Sequence, residues 1–116
     1  MPTRYVVLDT ETTGLTADDR IIEIGAILLE KRRPVKTFHT YINPENRNSH
    51  PDALRVHGIE DKFLKDKPKF SDIHNKFLDF VNDSTLVIHN AAFDMRFLQA
   101  ELDRVAYPVA LSKLCP

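Results

Sequence analysis

With 116 residues the chain has room for one small domain or a piece of a larger one. A composition of 42% hydrophobic and 28% charged residues, with no run near the ~20 apolar residues that cross a bilayer, excludes a membrane protein. The net charge of −1 excludes a broad basic field for nucleic acid, the lone Cys115 excludes an internal disulfide, and Asp9 interrupts the apolar start too early for a signal peptide. The expectation is a soluble cytoplasmic domain whose polyanionic partner, if any, is held by a local site.

Residues 5–12, YVVLDTET, read as a short β-branched strand, and LTADD (15–19) as a polar turn. RIIEIGAILLE (20–30) predicts a second strand in which Gly25 marks a bulge or a close contact. KRRP is a charged turn. VKTFHTYI (35–42) places Val35, Thr37, His39 and Tyr41 on one side and Phe38 and Ile42 on the other, the pattern of an edge strand. The short connections favour antiparallel pairing of these three strands.

A loop follows over 43–51, with Pro51 placed to open a short helix. KFSDIHNKFLDFVN (69–82) spaces Phe70, Ile73, Phe77 and Val81 as one apolar helical face. STLVIHN (84–90) reads as a brief buried strand, and residues 91–107 as a second helix stopped by Pro108. The order β-β-β-α-β-α predicts an α/β fold with a mixed sheet flanked by helices.

Positions i and i+2 of a strand share a face, so Asp9 and Glu11 project together where the first strand leaves the core. Two carboxylates that close disfavour each other's ionisation unless a cation lies between them. On its own the pair is more often a solvated strand end, with both acids facing water. VIHNAAFD (87–94) repeats the arrangement, an apolar strand and a polar turn leading to Asp94 in the first turn of a helix. The helix dipole alone accounts for an acid there, Asn90 reads as an N-cap, and an isolated His89 as a hydrogen-bonded structural residue. Two such strands in one small sheet nevertheless bring three acids to a common rim.

VVLDTETTGL, RIIEIGA, HTYINP, VHGI and VIHNAAFD, in this order and spacing, resemble the DnaQ-like (DEDD) family of 3′–5′ exonucleases, and within it the proofreading ε subunits of bacterial DNA polymerase III. The resemblance implies a ribonuclease H-like fold, two divalent ions (Mg²⁺ or Mn²⁺), and hydrolysis at single-stranded or frayed DNA 3′ ends. It implies Asp9, Glu11 and Asp94 as catalytic metal ligands. The Thr13-Gly14-Leu15 turn would run along the terminal nucleotide, Gly14 allowing close backbone approach and Leu15 wedging against the base. Asp52 and His57 would approach the substrate from one short helix, and Phe93 would offer a ring. Partners implied are a DNA 3′ end and the catalytic and accessory subunits of DNA polymerase III.

Members of that family carry a further motif, a histidine base followed five residues later by a fourth acid. His74 with Asp79 and His89 with Asp94 have this spacing only by coincidence. Residues 1–116 are therefore expected to be a single partial domain, about the N-terminal two thirds, without the last strand and final helix. An uncovered sheet edge would then favour self-association. The alternative is an impaired remnant that binds nucleic acid or a polymerase subunit.

Overall fold

The computed structural model describes residues 4–115. Three strands come first, β1 (Arg4–Thr12), β2 (Ile21–Glu30) and β3 (Arg33–Tyr41), then α1 (Pro51–His57) and a 3₁₀ turn (Asp61–Leu64). The helix α2 (Phe70–Val81), strand β4 (Thr85–Val87), α3 (Ala91–Arg104) and the short α4 (Leu111–Leu114) complete the order. The sheet order is β3-β2-β1-β4. β1, β2 and β3 pair antiparallel and β4 joins β1 in parallel, so the sheet is mixed and β3 is an edge, as the alternation predicts.

One sheet face is covered. Val6 and Leu8 of β1 and Ile24, Ala26 and Leu28 of β2 point into a core with Phe70, Ile73, Phe77 and Val81 of α2 and Phe97, Leu98 and Leu102 of α3. The period-3.6 face read from residues 69–82 is the buried face of α2. Its start is held by the Asp72 carboxylate, which accepts from Lys69 N at 3.0 Å. Truncating a wholly buried ring such as Phe77 costs about 3–5 kcal/mol in cores of this kind. The opposite face is open, with Val7, Ile27, Val35 and Val87 41%, 42%, 48% and 47% exposed.

That open face corrects one expectation. Residues 84–90 are not a buried strand; β4 is three residues long, and Thr85 and Val87 are exposed. Among the described residues β4 pairs only with β1, Val87 standing beside Val7 on the uncovered side. Gly25 marks neither a bulge nor a close contact: a Cβ there would meet nothing within 4 Å, and the register shifts fall at Glu11/Thr12 and Leu28/Leu29. The turn before β3 is only Lys31-Arg32, both at positive φ (52° and 66°), the two-residue pattern that suits the twist of a hairpin, so Pro34 lies within β3. α3 ends at Arg104 rather than running to 107, because Ala106 turns left-handed (φ 56°) and Tyr107 N donates back to Leu102 O.

α1 forms as its sequence suggests. Pro51 occupies its first turn, the His50 ring accepts from Asp52 N, and Gly58 closes it at φ 68°.

Candidate active site

Asp9 and Glu11 leave β1 on the open face, opposite Gly25 and Glu23 of β2 respectively. Asp9 is exposed, and its Oδ1 accepts from Thr10 N at 3.0 Å. Because Gly25 lacks a side chain, the space beside Asp9 is empty. Glu11 is half-buried, and its carboxyl is raised above the ordinary value by burial first, then by Asp9, Glu23 and Asp94.

Asp94 enters from the first turn of α3 and is 5% exposed. Among the described residues its Oδ2 is buried without a hydrogen-bond partner, as is the Thr10 hydroxyl. Burial pushes the Asp94 carboxyl up to about 6, with Asp9 adding to the rise and Thr10 and His89 offsetting part of it. The three acids predicted at one rim thus act on one another electrostatically. Glu23 is a fourth carboxylate beside them, bonded at 2.6 Å to the His39 ring; only strand register reveals it. Asn90 caps α3 with its backbone alone: it sits left-handed at φ 57° and its side chain makes no cap bond.

Among the described residues no three His, Cys, Asp or Glu side chains are already gathered as a metal-ligand set. The donor chemistry still fits a hard divalent ion. These are oxygen ligands that repel each other, and the Thr10 hydroxyl and His89 offset only part of the rise at Asp94, which is the condition a cation relieves.

Beside the acids lies a cleft of about 660 Å³, reached from the rim through Thr10 and Glu11. Gly14 and Leu15 form one wall, Asp52, Val56 and His57 of α1 the other, and Phe93 lies on the α3 side. Leu15 and Val56 are 79% and 82% exposed. The Phe93 ring stacks on Phe97 at 4.5 Å between centroids. Asp52 is exposed and pairs with Arg55.

Thr13 is wholly buried, its hydroxyl donating to Asp19 Oδ1 at 2.7 Å and accepting from Arg20 N at 3.0 Å, so its side chain does not face the cleft. Gly14 is required by Asp19, whose carboxylate occupies the place a Cβ would take. Asp19, 4% exposed, also accepts from Thr16 N, the Thr16 hydroxyl and Arg47 Nε. Burial alone would raise its pKa; these bonds from Thr13, Thr16 and Arg47 override that and hold it down at about 2. No local pattern marks Asp19, because its partners lie up to 28 residues away.

His57 is fixed by its surroundings. Ile59 N donates to Nδ1 at 2.9 Å, which leaves the proton on Nε2, facing the Ser49 hydroxyl at 3.3 Å. Burial lowers its pKa, against the upward pull of the Thr12 backbone, Glu23 and Asp61. A neutral ring whose accepting nitrogen is occupied is a donor and a wall, not a base.

A family model described as exonuclease matches residues 6–115. DNA polymerase III subunit epsilon of Rickettsia typhi is 56% identical over 102 residues, covering 85% of this chain and 44% of that protein. The subunit of the same name from Buchnera aphidicola subsp. Schizaphis graminum is 45% identical over 120 residues, covering 97% and 51%. That from Pasteurella multocida is 41% identical over 121 residues, covering 98% and 47%. The chain therefore spans about half the length of the curated relatives it matches. Among solved structures, product-bound exonuclease I superposes with a TM-score of 0.81 at 18% identity, over 90% of this chain and 26% of that one. E. coli exonuclease I in complex with a dT13 oligonucleotide gives 0.80 at 18% identity, over 89% and 24%. At that identity the likeness is one of fold, the ribonuclease H-like mixed sheet.

Proposed function

The chain belongs to the exonuclease family, and from that premise we propose that it is a 3′–5′ exonuclease that removes terminal nucleotides from single-stranded or frayed DNA during replication proofreading. The observation that supports this reading most is the rim: Glu11 lines the cleft, Asp9 and Asp94 are close enough to raise its carboxyl, and among the described residues Asp94 keeps a buried oxygen without a hydrogen-bond partner. The residues matched by the family model form one domain in this reading. Its partners in this reading are a DNA 3′ end and the catalytic and accessory subunits of DNA polymerase III, the polymerase for which the relatives are named, and its place is the cytoplasm. The open sheet face is a surface on which such a subunit, or a second copy, would rest.

The chemistry is addition of water to the terminal phosphorus, with the bond to the preceding 3′-oxygen breaking and that oxygen taking up a proton. Two Mg²⁺ or Mn²⁺ ions, held by Asp9, Glu11 and Asp94, would supply charge stabilisation for the attacking and leaving oxygens. The chain's own residues set the substrate in place. Leu15 wedges against the terminal base, Phe93 offers a ring to base or sugar, and the His57 Nε2–H donates to a substrate oxygen in place of Ser49. Asp52 stands on the same wall near the cleft's exit. Thr13 and Gly14 act as backbone, shaping the turn that carries Leu15.

A second reading, a binding module without hydrolysis, draws on two observations: the acids are not gathered into a ready ligand set, and His57 offers no accepting nitrogen. One assay separates the two. A labelled oligonucleotide with a frayed 3′ end, incubated with Mn²⁺, should be shortened stepwise from that end, and faster than a fully paired one. An Asp9→Ala, Glu11→Ala double variant should lose the activity. Retained binding without shortening supports the second reading, and internal cleavage or an unaffected double variant overturns the first.

A further inference from the structure

We infer that the adjacent residues Asp19 and Arg20 are two separate positioning residues, Asp19 holding the loop that presents Leu15 and Arg20 holding, through Glu101, the helix that presents Asp94 and Phe93. The inference rests on the exonuclease reading and deepens it.

The dipeptide enters β2, and its two side chains leave in different directions. Asp19 closes the loop on itself: its carboxylate takes the Thr13 hydroxyl at 2.7 Å, Thr16 N at 3.0 Å and the Thr16 hydroxyl at 2.9 Å, while Asp19 N donates to Thr16 O. Thr13 N donates to Arg20 O, and His50 N donates to Thr13 O at 2.7 Å. Thr13 is therefore the post on which both cleft walls hang, the Leu15 turn directly and α1 through the residue that caps it. The loop lacks Pro, its only Gly is the one Asp19 requires, and Leu15 stands out in solvent. Asp19 is what fixes where Leu15 points.

Arg20 goes to α3. Its Nε reaches both Glu101 oxygens (3.1 and 2.9 Å), its Nη2 reaches Oε1 at 2.8 Å, and Ile21 N donates to Oε2 at 3.1 Å. Arg104 adds a contact of 3.5 Å from the next turn. Glu101 is 1% exposed. A buried ion pair of this kind is no more stabilising than apolar residues of the same volume, so its retention asks for a geometric reason. Asp94 and Glu101 lie seven residues apart, two helical turns, and so share one face of α3. Pinning Glu101 to the start of β2 fixes the rotation of α3 about its axis, and hence where Asp94 stands against Asp9. A displacement of about 1 Å at a reacting group costs on the order of 10²-fold in rate.

The two devices predict different kinetic signatures, because Asp19 governs contact with the nucleotide and Arg20 the geometry of the acids. The test uses the 116-residue protein, a 3′ single-stranded oligodeoxynucleotide with Mn²⁺ for kinetics, and Mn²⁺ alone for binding by electron paramagnetic resonance. Asp19→Ala should raise KM by about 10-fold and leave kcat and Mn²⁺ affinity within about 2-fold, with Asp19→Asn intermediate. Gly14→Ala, which drives a methyl into the Asp19 carboxylate, should raise KM likewise, and little further when combined with Asp19→Ala.

Arg20→Met should lower kcat by about 10²-fold and Mn²⁺ affinity by about 10-fold at nearly unchanged KM, with Arg20→Lys restoring part of both. Arg20→Met also strands a buried charge and risks unfolding, so the apolar pair Arg20→Met with Glu101→Leu carries the same test in a folded chain. Its kcat and Mn²⁺ affinity should remain low. A folded apolar pair with wild-type kcat and Mn²⁺ affinity, or Asp19 and Arg20 variants that move KM and kcat alike, would overturn the proposal. A wild-type chain that neither takes up Mn²⁺ nor shortens the oligonucleotide overturns the exonuclease reading, and the proposal with it.

Discussion

Two buried aspartates, a few residues from the same cleft, have been driven in opposite directions. Asp19 sits among four donors and is held down at about 2, while Asp94 has a buried oxygen without a hydrogen-bond partner and is pushed up to about 6. Burial acts in the same sense on both. The hydrogen-bond inventory of each neighbourhood decides the outcome: the loop wall is satisfied and rigid, and the acid rim is left wanting positive charge. Under the proposed exonuclease reading, a wall that meets the nucleotide gains from completed bonds, and a rim that takes up a cation gains from leaving them incomplete.

The same substitution at the two sites should therefore have opposite signs. In metal-free buffer at pH 8, Asp94→Asn removes a buried unpaired charge and should stabilise the fold by roughly 1–3 kcal/mol, the free energy that corresponds to a carboxyl raised from 3.8 to about 6. The raised value also sets a pH course. Because the folded carboxyl titrates above the unfolded one, metal-free stability falls as pH climbs from 3.8 to about 6, then levels. Denaturant melts across that window check it, and a wild-type profile that rises there would remove Asp94 from the contrast. Mn²⁺ at 100 times its Kd should restore about 2.7 kcal/mol to the wild type by mass action and almost nothing to Asp94→Asn. Thermal melts with and without the ion make that comparison.

At the other aspartate the sign reverses. Asp19→Asn should cost roughly 1–2.5 kcal/mol near neutral pH. Its contribution, fully present above the unfolded value of 3.8, should be lost as pH falls through about 2, so acid titration should erase the difference between variant and wild type. The smallest effect lies outside both regions and serves as a reference. Replacing Lys31 with Asn and Arg32 with Gly matches the hairpin's left-handed turn and should add about 0.5–1 kcal/mol, leaving metal uptake unchanged. A change in Mn²⁺ binding there would mean that the rim responds to stability in general.

What is legible in the sequence is whatever depends on local periodicity. The strand runs, the α2 stripe, the edge position of β3 and the common face of Asp9 and Glu11 all follow from spacings of two or of three and four, and the structure has them. Asp94 falls in the first turn of α3 for the same reason. Partnerships across the chain are hidden. Glu23 joins the rim only because β2 pairs in a register that sets it against Glu11. Asp19 reads as an ordinary turn acid until Arg47 and Thr13 are seen around it. The open face of β4 escapes a sequence reading because an apolar run signals burial in general and carries no information about which side a neighbour covers. Gly25 reads as a conformational device and serves instead as an empty place beside Asp9.

The Arg20–Glu101 link joins residues 81 positions apart, and the acids of β1 meet Asp94 only across a similar distance in sequence. During synthesis, the β1–β2–β3 meander can pair as soon as it emerges, since its contacts are local. The rim cannot exist until α3 has been made and drawn back to the first strand, a long-range closure that is slow in folding. Under the proposed reading, a ribosome-bound chain would thus display its DxE strand long before it could organise a cation or a DNA end. Any nucleolytic activity would report completed folding of the domain, which makes metal uptake a late clock for the folding reaction itself.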